Sequence, residues 1–156
     1  MYRGVSSGLI VVLCAMLGAC SSLTADLPSD FMQLRTANHE FKATSPDGAR
    51  VWAREFEDYD QGGVSFWAEA LKNDLTEGRG YVLESSDSVR DGEGNEGRQM
   101  QLKTTFGGER WGYLVAVFVL PGSSSNTIRV FEFTAREAVF ETYLEQVSAS
   151  VATLQK

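Results

Sequence analysis

Asp58, Asp60, Gly63 and Glu69 occupy positions 1, 3, 6 and 12 of the window "DYDQGGVSFWAE". That spacing is the pattern of a calcium loop, in which paired carboxylates, a sharp-turn glycine and a bidentate glutamate close around the ion. Other features of the window work against it. Gly62 stands at position 5, where Asp or Asn would supply a ligand, and Ser65 stands at position 8, which is normally apolar. The preceding "ARVWAREF" alternates like a strand instead of supplying an entering helix. The competing expectation is a strand-to-helix loop whose acids sit near a helix N-terminus, where the dipole favours negative charge. Asp58, Asp60 and Glu69 are therefore candidate metal ligands, with Ca²⁺ the ion they would suit.

Other chemistry is poorly supplied. His39 is the single histidine of the chain, so neither a His/Cys metal site nor a histidine-based acid–base pair can be assembled around it. After residue 19 no Gly-x-Ser-x-Gly elbow occurs, and the glycines of "DGEGNEG" and Gly107-Gly108 lack the following helix that a phosphate cradle needs. No nucleophile–base pair can be named, and the expectation is a non-catalytic domain without a cofactor. Aromatic side chains offer a different route to binding. Trp111 lies in the most apolar segment and reads as core, whereas Trp52 and Trp67 could line a ligand groove.

The two cysteines, Cys14 and Cys20, belong to the N-terminal segment. It opens "MYRGVSSG", with Arg3 its one charge, and continues as the uncharged run "LIVVLCAMLG". A basic start, a short apolar core and a small-residue site describe an export signal. The run is too short to span a bilayer, which takes about 20 apolar residues. Leu17-Gly18-Ala19-Cys20 then resembles the lipobox of bacterial lipoproteins. The resemblance implies cleavage between Ala19 and Cys20 and attachment of lipid, palmitate included, to Cys20. Cys14 would leave with the signal, so no thiol would remain for a disulfide or a metal. Ser21 follows the cysteine where an aspartate tends to retain such proteins in the inner membrane. The resemblance thus implies an outer-membrane protein facing the periplasm, in the cell envelope.

Residues 1–19 read as signal peptide, 20–29 as a short polar tether containing Pro28, and 30–156 as one domain. Without Arg3, 13 of the 14 Lys+Arg remain against 21 Asp+Glu, a net charge near −8. An acidic surface without a basic patch excludes nucleic acid and an electrostatic grip on anionic headgroups. Apolar content of 43% is globular in composition.

The elements that must position these residues follow from periodicity. Residues 38–58 read as two short strands around Pro46-Asp47-Gly48. Residues 62–80 read as a helix carrying Phe66, Ala70, Leu71 and Leu75 and ending at Gly78 and Gly80. Residues 81–134 read as four strands separated by "DGEGN", "GG" and "PGSSSN". Met100, Leu102, Thr104 and Phe106 share one face of the second, opposite Gln99, Gln101 and Lys103. Trp111–Leu120, apolar on both faces, should be a central strand. Residues 135–156 read as a helix with the stripe Val139, Phe140, Tyr143, Leu144, Val147, Val151 and Leu154.

The sum is an α+β domain: an antiparallel sheet of about six strands, one helix after the first hairpin and a C-terminal helix packed on the sheet. In this order of elements, with the "FKATSPDGARVW" hairpin and the terminal "FETYLEQVSASVATL", the chain resembles the Mog1/PsbP-like fold over residues 30–156. That resemblance implies an accessory or binding module. The expectation is a lipid-anchored envelope lipoprotein whose domain binds a protein partner; the alternative is a small-ligand or Ca²⁺-binding module.

Overall fold

Gly48 turns the first hairpin with φ +90°, a conformation a side chain would strain. Ser45 and Ala49 close the turn through reciprocal backbone and side-chain bonds of 3.0 Å. In the computed structural model, which describes residues 22–36 and 40–156, this hairpin joins two strands of a seven-stranded antiparallel sheet. The strands are β1 (Met32–Leu34), β2 (Phe41–Thr44), β3 (Arg50–Asp58), β4 (Val82–Arg90), β5 (Glu96–Phe106), β6 (Glu109–Leu120) and β7 (Asn126–Arg136). Their spatial order is β1-β2-β3-β7-β6-β5-β4. The meander β4 to β7 thus lies beside the first hairpin, with β3 paired to β7 from Arg50↔Thr134 to Asp58↔Asn126. β1 is an addition to the six strands expected: three exposed residues at the sheet edge, too short to show alternation.

Two helices cover opposite faces. α1 (Val64–Asn73) continues into a π-turn, Asp74–Gly78. It lies over Met100, Leu102, Val115, Val117, Ile128 and Val130. α2 (Glu137–Ser150) and the 3₁₀ turn Val151–Thr153 lie over Leu114, Ala116, Phe118, Phe131 and Phe133. The one-residue alternation along β6 therefore feeds two cores, as its doubly apolar sequence requires. Each fully buried Phe or Leu in these cores contributes roughly 1.5–3 kcal/mol of transfer free energy. On α1 the buried stripe is Ala68 and, in the π-turn, Leu75, with Trp67 and Leu71 half-buried. Phe66, expected on that stripe, points outward and is 62% exposed.

The segment expected to be a tether is largely part of the domain. Leu23 is 1% exposed, in the α2-side core. Thr24 and Gln155 exchange backbone hydrogen bonds of 2.8 and 3.0 Å. Phe31 packs edge-on against Tyr143 at 5.1 Å. The boundary at residue 30 is drawn too late: Leu23, Ala25 and Leu27 alternate onto the α2-side core, but over too short a span before Pro28 to mark a strand. Cys20, the Ala19–Cys20 bond and His39 lie outside the described residues.

One charged cluster is buried near this segment. Arg129, 1% exposed on β7, donates to Asp91 at 2.7 Å, to Glu93 at 2.6 Å and, through Nε, to Glu55 at 2.9 Å. Burial opposes its charge, but the bonds to Glu93 and Glu55 outweigh that and raise its pKa. Asp91 also accepts from the backbone N–H groups of Glu93 and Asn95, which fixes the β4–β5 turn. Lys156 reaches Glu55 at 2.7 Å. The cluster ties two strands, a turn and the C-terminal segment into one end of the sheet.

Candidate functional site

The calcium window folds around its first carboxylate. Asp58, at the end of β3, is 6% exposed. Its Oδ1 accepts from the Asp60 backbone N–H at 3.1 Å, and its Oδ2 from the Gly62 N–H at 2.7 Å and the Trp67 indole N–H at 2.9 Å. The Trp67 bond, followed by the backbone N–H groups, outweighs burial and holds the carboxyl below its ordinary range. Glu69 sits on the outer side of α1, paired with Lys72. The acids of this window do not converge. Among the described residues no group of three or more His, Cys, Asp or Glu side chains is placed to hold a metal. Asp58 caps a strand-to-helix loop, and the carboxylate a metal would need is spent on three N–H donors.

Trp67 is held by that same bond and by edge contacts with Phe56 at 5.9 Å and Phe66 at 5.5 Å. It lines a depression of about 230 Å³ beneath α1. Trp52 lies elsewhere on the same face, in a larger groove of about 560 Å³ walled by Leu34, Lys42, Thr44, Tyr113, Glu132 and Thr134. The single groove expected to join Trp52 and Trp67 is two depressions, with Glu132 lining both. The larger one exists because α1 and its π-turn cover only part of this face. Beyond them, at the hairpin end of β3 and β7, no helix among the described residues lies over this face.

The groove combines apolar walls with a few fixed polar groups. The Trp52 indole N–H donates to Glu40 at 3.3 Å. The Arg54 guanidinium lies 4.1 Å and the Lys42 ammonium 4.8 Å from its ring centroid, both within cation–π range. The Tyr113 hydroxyl donates to Glu132 Oε1. Burial and the neighbouring Glu132 push the Tyr113 pKa up, so it remains a neutral donor. Glu132 Oε2 is buried without a hydrogen-bond partner. An Arg54 nitrogen lies 3.4 Å away, close enough for ionic attraction but outside hydrogen-bond geometry. A buried carboxylate oxygen left open is costly unless a donor meets it. An apolar group bearing an N–H or O–H has the chemistry to fill such a groove, and among the described residues lining it no nucleophile is paired with a base.

Tyr113 and Glu132 were not anticipated from the sequence, although both interrupt apolar runs, in "WGYLVAVFVL" and "RVFEFT". An acid within a buried strand is the signal that could have found the site.

No family model matches the chain, and no curated protein matches it in sequence. Solved structures match its shape. LpqN, involved in cell envelope biogenesis of Mycobacterium tuberculosis, superposes with a TM-score of 0.67 at 14% identity, over 90% of this chain and 88% of its own. The Ran-binding protein Mog1p of Saccharomyces cerevisiae gives 0.54 at 13%, over 85% and 91%. The fold is Mog1-like. A protein of unknown function from Pseudomonas aeruginosa, PA94, gives 0.52 at 15%, over 87% and 98%. At these identities the likeness carries the Mog1-like fold alone.

Proposed function

We propose that the chain is a cell-envelope lipoprotein, cleaved between Ala19 and Cys20 and held by lipid on Cys20 at the periplasmic side of the outer membrane. Its Mog1-like domain is a non-catalytic accessory module that binds an envelope protein through the Trp52–Tyr113–Glu132 groove. The observation that carries the binding role is the part of the sheet that no described helix covers, where Glu132 Oε2 is buried with an ion pair to Arg54 but no hydrogen-bond donor. The involvement of LpqN in cell envelope biogenesis fits an envelope setting. No helix among the described residues is long and apolar enough to cross a membrane, so attachment in this proposal falls to Cys20.

A photo-cross-linker at Leu34, on the groove wall, tests this in intact envelopes. The expected result is a discrete adduct, lost with Glu132→Ala and depleted with Cys20→Ser. The same adduct from a cross-linker at Glu145 on α2, or none from Leu34, overturns the protein-binding role. The groove volume of about 560 Å³ also suits a small molecule. That second use predicts a rise in Tm with an apolar amine or alcohol, and its loss in Glu132→Ala.

A further inference from the structure

Burial of Leu23 fixes how far the domain can stand from a lipid on Cys20. Three Cα steps separate the two residues, a reach of about 10 Å at full extension. Leu23 and Thr24 sit beside Gln155, and the adjoining Lys156 pairs with Glu55 on β3. That places the chain's exit at the end of the sheet where β3 finishes and β7 starts.

The same end carries an aromatic cluster. Tyr59, in the loop after β3, is 72% exposed, and Phe66, on the first turn of α1, is 62% exposed. Phe66 and Phe56 flank Trp67 edge-on. Rings with one wet and one apolar side are suited to the headgroup level of a bilayer. Charge is not what drives the contact: Arg90 and Lys156 at this end are paired with Glu96 and Glu55.

We infer that this end of the domain, with Tyr59 and Phe66 leading, rests on the phospholipid surface. The inference builds on the lipid anchor proposed above. It sets the strands upright on the membrane. Arg50, at the groove end of β3, then stands about 26 Å above Asp58, eight residues at ~3.3 Å each. The groove would face the aqueous compartment while the aromatic end is covered.

The test uses the full-length mature protein, purified with its lipid and returned to vesicles of phosphatidylethanolamine and phosphatidylglycerol carrying a shallow acyl-chain nitroxide. An environment-sensitive fluorophore is attached at Tyr59→Cys or Phe66→Cys, with Phe106→Cys at the end of β5 as the opposite-end control. All three positions are exposed, so labelling leaves the cores intact. Blue-shifted, nitroxide-quenched emission at 59 and 66, with unquenched emission at 106, is the expected result. Unquenched emission at all three, in protein whose N-terminal peptide has the mass of acylated Cys20, overturns the membrane-facing surface and leaves the anchor standing. An unmodified Cys20 peptide overturns the anchor, and the inference with it.

Discussion

The ring of Phe140 on α2 lies directly on Gly112 of β6: a Cβ added there would stand 2.1 Å from the ring. Phe140 also stacks on Phe133 at 4.8 Å. Helix and sheet thus meet at a point where only a hydrogen atom fits.

Gly112→Ala should destabilise the domain by roughly 1–3 kcal/mol through overpacking. Phe140→Leu should recover part of that loss in the double variant, because the two sites share one contact. Urea denaturation of the four proteins measures the coupling; additive losses would show that α2 moves freely away from the sheet.

Arg129 is the cation that Asp91, Glu93 and Glu55 share. Arg129→Ala leaves buried carboxylates without it and should cost about 3–5 kcal/mol. Arg129→Lys keeps the charge but not the fork of donors, so its midpoint should fall between the two. Thermal melts followed by circular dichroism give the order.

Acid should weaken the same end. Burial alone would raise the Glu55 carboxyl, but Lys156 and Arg129 outweigh it and hold it below 4.5. A carboxyl depressed in the folded state contributes stability that is whole above its unfolded pKa and lost as pH falls through the folded one. Tm should therefore be level above about pH 5 and decline as pH drops past 4.5. In Glu55→Gln the melt should start lower at neutral pH and decline less steeply in acid.

Calcium should leave Tm unchanged, since Asp58 is already occupied by N–H groups and Glu69 by Lys72. A calcium-dependent rise in Tm that disappears in Asp58→Ala would restore the ion-binding role. Calorimetric titration would confirm it as heat.

Where the sequence was legible, the reason was repetition. Met100 and Leu102 alternate with Gln99 and Gln101 along β5, and that period puts one set under α1 and the other on the α2 face. Trp111–Leu120 is apolar on both sides and is an interior strand. What single residues did was harder to read. Arg129 and Glu132 are two charges within one largely apolar strand, β7, and their partners come from β3, β6 and the β4–β5 turn, distant in sequence. Leu23, Ala25 and Leu27 alternate over too short a span to mark a strand, and β1 is three exposed residues; both are held by partners distant in sequence. Asp58 illustrates the opposite error: acids spaced as in a metal loop are equally well spaced for capping backbone N–H groups.

The bridge between Thr24 and Gln155 has a mechanical consequence. Any pull on the segment before Leu23 meets that side chain and the two Thr24–Gln155 hydrogen bonds first, then the Asp26–Thr153 bond and the packed Leu27 and Phe31. Such a load would peel Leu23 from its socket before tension reached β1. Residues 24–31 would then serve as a strap that lengthens under force while the sheet stays whole.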